Sequence, residues 1–198
     1  IEITSMPGFS RARSDSSTRT IDGRFSGGSA FYGNGDTIST DTLHMGDVNG
    51  DGYADALIGA PGADAAYTHR GSAAGLSSTA SATLTGAASL GESVAAAGDL
   101  DGDGFGDVVV GAPGARIAVV FYGSPTGLSG RTPTTLTMAV STFGGQVSGA
   151  GDVDADGYGD LLIGAPNAGS AYLYRGAADG VSTTAASVMV GAGTGFGF

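Results

Sequence analysis

The feature that most constrains the fold is a repeat that occurs three times along the chain. The segment GDVNGDGYADALIGAP begins at Gly46, GDLDGDGFGDVVVGAP at Gly98 and GDVDADGYGDLLIGAP at Gly151, so the copies are offset by 52 and 53 residues. A second motif, written GSAAGLS, GSPTGLS or GAADGVS, begins 25 residues after the first glycine of each copy. Repeats of this length indicate that the chain is built from copies of one supersecondary unit.

Each repeat is predicted to contain four short strands. In the second repeat these are Ser93–Ala97, Asp107–Ala112, Arg116–Tyr122 and Thr134–Ala139. They contain β-branched, aromatic or small apolar residues and are bounded by Gly, Pro or Ser, as strands are. The second strand carries a continuous apolar run, which is typical of a strand buried on both faces. Since no stretch of ten residues combines helix-forming composition with an amphipathic stripe, we predict an all-β fold.

Four antiparallel strands in a unit of this length predict the blade of a β-propeller, because β-helix solenoids have much shorter periods. Propellers have about 4–8 blades, so three repeats do not close a ring alone. We therefore expect a fragment of a longer array, or a ring completed by a second chain. The array is assigned to residues 29–198, with a strand at Ser29–Gly33 before the first full repeat. Residues 1–28 do not match the repeat and are assigned to a lead-in segment or a diverged strand.

Composition excludes several classes of function. The chain has 38 glycines, no cysteine and a net charge of −11, and all of its basic residues are arginine. A nucleic-acid-binding face needs clustered Lys and Arg, so nucleic acid is not an expected partner. No apolar run approaches the roughly 20 residues that cross a membrane as a helix. Eleven of the nineteen acidic residues fall in three short loops, and one divalent cation in each loop would bring the net charge to about −5, an ordinary value for a soluble domain.

Acidic residues in these loops have the spacing of calcium ligands. In the loop 99–107, positions 1, 3, 5 and 9 are Asp99, Asp101, Asp103 and Asp107, and the carbonyl of Phe105 stands at position 7. These oxygens converge on one point if the backbone wraps around it, and the glycine at position 6 permits the bend. Hard oxygen ligands in this number suit Ca²⁺, which accepts 6–8 oxygens.

The other two loops repeat the pattern. The ligands predicted in the loop 47–55 are Asp47, Asn49, Asp51, the Tyr53 carbonyl and Asp55. Those predicted in the loop 152–160 are Asp152, Asp154, Asp156, the Tyr158 carbonyl and Asp160. Turns rich in Asp and Gly also form without a metal, but recurrence three times in register favours the metal, and we predict three Ca²⁺ ions per chain.

An EF-hand loop is excluded by the residues that follow. That loop needs flanking helices and a bidentate Glu at position 12. Here position 12 is Ile58, Val110 or Ile163, in the middle of an apolar run. Each loop is therefore predicted to join two β-strands.

The order of the motifs resembles a known repeat. Phe143-Gly144 precedes the third metal loop, Leu90-Gly91 and Ile38-Ser39 take its place in the earlier repeats, and Phe196-Gly197 is a fourth copy. A Phe-Gly pair, an Asp-x-Asp-x-Asp-Gly-x-x-Asp loop and a Gly-Ala-Pro in that order resemble the FG-GAP repeat of integrin α-subunit propellers. Similar arrays occur in bacterial secreted proteins and in glycosylphosphatidylinositol-specific phospholipase D. The resemblance covers residues 29–198 and implies calcium between the first two strands of each blade, with ligands bound, in integrins, on the opposite face.

No catalytic motif accompanies the repeats. The chain has no G-x-S-x-G, HExxH or Walker sequence, and its two histidines, His44 and His69, lie on predicted strands. We therefore expect a binding or adhesion module of an extracellular or cell-envelope protein, with a protein or glycan partner, and not an enzyme. Two alternatives stay open: a non-catalytic propeller of a larger secreted hydrolase or lyase, and an architectural fragment that assembles with copies of itself.

Overall fold

A computed structural model gives the structure of the chain and describes residues 31–32, 36–37, 43–128 and 130–191. In these ranges the chain forms three four-stranded antiparallel sheets and one short strand pair, β1 (Phe31–Tyr32) with β2 (Asp36–Thr37). The all-β prediction is confirmed. Within the same ranges no helix is long and apolar enough to cross a bilayer. The lead-in 1–28, the pair at 38–39 and the pair at 196–197 lie outside the described residues.

Each sheet corresponds to one repeat, and its strands pair in sequence order. The first unit contains β3 (Leu43–Gly46), β4 (Asp55–Ala60), β5 (Ala65–His69) and β6 (Ala82–Thr85). The second unit contains β7 (Ser93–Gly98), β8 (Asp107–Ala112), β9 (Ile117–Phe121) and β10 (Thr134–Thr137). The third unit contains β11 (Gln146–Gly151), β12 (Asp160–Ala165), β13 (Ser170–Tyr174) and β14 (Ser187–Val190).

The predicted strands of the second unit differ from the observed ones by one or two residues at their ends. The second strand is the same, whereas the third begins at Ile117 because Arg116 adopts a left-handed conformation with φ of 58°. The second strand is buried at all six positions. That burial explains its unbroken apolar run, since neighbouring units cover both faces of the sheet.

Adjacent units approach so closely at one point that both backbones need glycine. A Cβ on Gly111, in β8, would lie 2.0 Å from the main-chain oxygen of Gly144 at the start of the third unit. Gly59 and Gly91 form the same contact between the first and second units, also at 2.0 Å. At the two Phe-Gly positions that the structure describes, the glycine therefore packs on the glycine of the preceding Gly-Ala-Pro.

The residue before that glycine belongs to the core. Phe143 is fully buried, and its ring packs edge-on against Tyr172 and Tyr174 with centroid distances of 5.5 and 6.3 Å. Leu90 occupies the same place in the second unit and is also fully buried. Leu can replace Phe here because the site requires apolar volume.

The three units do not form a closed ring, and the outer face of the third unit is exposed. At position 2 of the metal loop, Val48 and Leu100 are 4% and 0% exposed, whereas Val153 is 51% exposed. Val190, at the end of β14, is 74% exposed. In the first two units the next unit covers this face.

Candidate metal centres

The three predicted metal loops lie at the same end of their units, between the first and second strands. They leave β3, β7 and β11 and enter β4, β8 and β12. Position 9 is consequently the first residue of the second strand, occupied by Asp55, Asp107 and Asp160. These three carboxylates are at most 2% exposed.

Each buried carboxylate at position 9 closes its loop through two main-chain hydrogen bonds. In the second loop, Asp107 accepts from the N–H of Leu100 with Oδ2 and from the N–H of Gly123 with Oδ1, both at 2.8 Å. The equivalent amides in the other loops donate to Asp55 and Asp160 at distances from 2.8 to 3.1 Å. A carboxylate has about four lone-pair sites, so two hydrogen bonds leave it able to bind a cation.

The carboxylate at position 1 organises the rest of the loop. Asp99 accepts from the N–H groups of Gly102 (2.7 Å), Asp103 (3.1 Å) and Gly104 (2.9 Å). Asp103 in turn accepts from the N–H of Phe105 at 3.0 Å. The backbone thus wraps around the acidic side chains, as the sequence pattern requires.

The same bonds recur in the other two loops. Asp47 accepts from the amides at positions 4, 5 and 6 of its loop, and Asp152 from those at positions 5 and 6. The glycine at position 6 has a φ of 84° to 96° in the three loops, the left-handed conformation that favours glycine.

Carboxylate oxygens converge in two of the loops. Asp99, Asp101 and Asp107 each place an oxygen within 4.8 Å of the others, and so do Asp152, Asp154 and Asp156. Among the described residues these are the two such acidic groups, so Asp103, Asp160 and the acids of the first loop lie outside them. Oxygens about 4.8 Å apart fit around one ion with metal–oxygen distances of about 2.3–2.6 Å. The donor sets of the second and third loops therefore fit Ca²⁺.

Burial disfavours the charged form of several of these acids. It raises the pKa of Asp107 to about 7, although the two main-chain hydrogen bonds act in the opposite direction. Burial is also the main cause of the raised pKa values of Asp55 and Asp101. A cation bound among these carboxylates would offset the cost of burying their charge.

The first and second loops are joined to the following unit by main-chain contacts that the sequence did not reveal. The carbonyl of Asp47 accepts from the N–H of Gly106 at 3.0 Å, and that of Asp99 from Gly159 at 2.7 Å. Gly106 and Gly159 stand at position 8 of the next loop along the chain. Each metal loop therefore contributes to the junction between units.

Position 4 of the loop has a role in packing between units. A Cβ on Gly50 would lie 2.8 Å from the ring of Phe105, and one on Gly102 would lie 2.7 Å from the ring of Tyr158. The aromatic residue at position 7 of one unit thus covers position 4 of the preceding unit. Ala155 holds position 4 in the third loop, with φ of 60°.

Two arginines bind the carboxylate at position 3. Arg131 contacts Oδ2 of Asp101, and Arg175 lies 3.0 Å from Oδ2 of Asp154. Both pairs join residues at least 20 positions apart, and no motif in the sequence signals them.

Comparison with known proteins agrees with this geometry. The model of the FG-GAP-like repeat matches residues 47–110, and that of the FG-GAP repeat matches residues 143–189. The chain is 38% identical to integrin alpha-V of Gallus gallus over 154 residues, 36% identical to integrin alpha-5 of Xenopus laevis over 155, and 32% identical to integrin alpha-PS5 of Drosophila melanogaster over 149. These alignments cover 65–66% of the chain and 15% of each relative. Because these matches agree with the order and the packing of the Phe-Gly and Gly-Ala-Pro motifs, the chain belongs to the FG-GAP repeat family.

Proposed function

We propose that the chain is a calcium-stabilised β-propeller module for binding or adhesion, with one Ca²⁺ ion in each of the loops 47–55, 99–107 and 152–160. The observation that supports it best is the recurrence of one hydrogen-bonded loop geometry at the same end of all three units. The ligands are those predicted from the sequence, at positions 1, 3, 5, 7 and 9. The ion acts structurally, because the loops that hold it also form the junctions between units.

Binding to the folded state alone stabilises that state. A ligand present at 100 times its dissociation constant adds about 2.7 kcal/mol per site. Three sites in the same chain would therefore change the thermal stability by an amount that calorimetry measures easily.

The test is to measure bound calcium and the melting temperature together. We expect three ions per chain by elemental analysis after dialysis, and a lower melting temperature in excess chelator. Asp103→Asn should remove one ion, whereas Asp179→Asn, an exposed acid outside the loops, should leave three. An unchanged melting temperature in chelator would exclude a structural role for calcium.

The binding face is proposed to lie at the opposite end of the units. There the second strand turns into the third through Pro61–Ala63, Pro113–Arg116 and Pro166–Ala168, so short exposed turns form the surface. We propose a protein or glycan as the ligand and an extracellular or cell-envelope location, in keeping with the similarity to integrin α-subunits.

An array of immobilised glycans and purified extracellular-matrix proteins tests this assignment. Binding should require calcium and should weaken in Arg116→Glu, at the turn end. It should persist in Arg70→Glu, near the metal-loop end. The opposite ranking of the two variants would place the ligand on the metal-loop face.

The open face of the third unit is proposed to be covered by a further repeat unit. It would come from the remainder of a longer protein or from a second copy of the chain. The exposure of Val153, in contrast to the buried Leu100, supports this proposal. Sedimentation of the chain should show self-association, and a monodisperse monomer that keeps β14 ordered would show that three units suffice.

A further inference from the structure

Arg131 connects the second metal loop with the third unit. Its guanidinium donates from Nη1 to Oδ2 of Asp101 and from Nη2 to the main-chain oxygen of Asp179. The same group lies 4.2 Å above the centre of the Tyr122 ring. One planar cation thus contacts a predicted metal ligand, an aromatic ring and a turn of the next unit.

The turn of the third unit is shaped to admit this group. Gly180 has a φ of 101°, and a Cβ there would lie 2.4 Å from Oη of Tyr122 and 2.9 Å from Nη2 of Arg131. The N–H of Val181, the next residue, donates to Oη of Tyr122 at 3.0 Å. The close approach therefore depends on glycine at this position.

Asp101 divides its two oxygens between the arginine and the loop. Oδ2 faces Arg131, whereas Oδ1 accepts from the N–H of Asp103 at 3.3 Å inside the loop. The side chain of Asp101 is 4% exposed, so its orientation is fixed by these contacts. Hydrogen-bonded partners outside the ligand shell orient metal ligands and strengthen metal binding.

Among the described residues, the other two loops lack this combination. In the first loop position 3 is Asn49, which donates to Asp51 at 2.9 Å. At that junction Arg70 donates to the carbonyl of Thr126, the counterpart of Asp179. In the third loop Arg175 pairs with Asp154, but the two side chains are 52% and 22% exposed. The exposed Arg175–Asp154 pair therefore serves as a control for the Arg131–Asp101 pair, whose carboxylate is buried.

We propose that Arg131 is a positioning residue for the second metal loop, and that through it cation binding at this loop and docking of the third unit strengthen each other. The proposal rests on calcium binding as proposed above. Its distinctive content is that, in the part of the chain that the structure describes, the second loop is the one whose carboxylate is joined to the following unit through a charged side chain.

Site-resolved calcium titration by NMR tests it, with the amides of Gly52, Gly104 and Gly157 each reporting one loop. In Arg131→Gln we expect the midpoint at Gly104 to move to about 10-fold higher calcium, while the other two stay in place. In Arg175→Gln the midpoint at Gly157 should move about 2-fold or less, since an exposed pair contributes little. Arg131→Lys keeps the charge and should give a smaller displacement at Gly104.

Hydrogen exchange of the Val181 amide tests the coupling. Calcium should slow this exchange in the unchanged chain, and much less in Arg131→Gln. A Gly104 midpoint that stays within 2-fold, or equal movement of all three glycines, would overturn the proposal. If none of the three glycines responds to calcium in the unchanged chain, the proposed function itself is wrong.

Discussion

The close approach of Gly111 to Gly144, at the junction of the second and third units, leads to a quantitative prediction. A Cβ on Gly111 would lie 2.0 Å from the main-chain oxygen of Gly144 and 2.2 Å from Oγ of Ser93. An ordinary carbon–oxygen contact is more than 1 Å longer, and the carbonyl belongs to a backbone that has no rotamer to change. Gly111→Ala should therefore push the second and third units apart.

The expected magnitude follows from two opposing effects. Overpacking a core costs about 1–3 kcal/mol, and more when the backbone must move. Replacing Gly with Ala also restricts the unfolded chain, and this stabilises the folded state by about 0.4–1 kcal/mol. The steric effect dominates at 2.0 Å, so we expect Gly111→Ala to lower the free energy of unfolding by about 2–3 kcal/mol.

A graded series makes this reasoning testable. Gly59→Ala has the same 2.0 Å approach at the other junction, whereas a Cβ on Gly106 would meet the oxygen of Asp47 at 2.7 Å and one on Gly159 would meet that of Asp99 at 3.1 Å. Urea unfolding in saturating calcium should rank the losses in the order of these distances, with Gly159→Ala below about 1 kcal/mol. Equal losses for Gly111→Ala and Gly159→Ala would refute the steric explanation.

Three further predictions concern the loops and the second junction. In excess chelator the melting temperature should fall as the pH rises from about 4 to about 7. The folded-state pKa of Asp107, about 7, exceeds the ordinary value of 3.8, so over this pH range the folded chain retains a proton that the unfolded chain has released. The resulting loss in the free energy of unfolding is at most about 4 kcal/mol. A melting temperature that rises between pH 4 and pH 7 would contradict this prediction. Ala155→Gly should stabilise the chain by up to about 1 kcal/mol in urea unfolding, because it relieves a left-handed conformation; a loss of stability would show that the strain is absent. Tyr122→Phe should cost about 1–3 kcal/mol by calorimetry, since the buried N–H of Val181 loses its acceptor, and an unchanged melting temperature would contradict that account.

The features that local sequence determines were predictable. The repeat, the four strands of the second unit and the three acidic loops depend on residues close together in the chain, so their composition and spacing carry the information. The turn at position 6 is an example: Gly104 follows Asp103 directly, and the loop bends there. Burial of β8 on both faces was also predictable, because its six residues form one apolar run apart from the initial Asp107.

Contacts between units were decided by the tertiary structure. Position 8 is Ala54 in the first loop but glycine in the other two, where the main-chain oxygen of the preceding loop lies close. Position 4 is glycine in the first two loops, where an aromatic ring of the next unit lies against it. In the third loop, which no described unit follows, position 4 is Ala155. The sequence shows these exchanges of Gly and Ala, but it does not show which residue of another unit lies against them.

Arg131 illustrates the same limit. It lies 30 residues from Asp101 and 48 from Asp179, and the arginine of the first junction, Arg70, occupies a different place in its repeat. A periodic sequence therefore predicts the fold of each unit and its acidic loop, because both depend on neighbours in the chain. Which side chains cross between units depends on how the sheets stack, since residues such as Arg131 and Asp179, 48 positions apart, meet only when that stacking has formed.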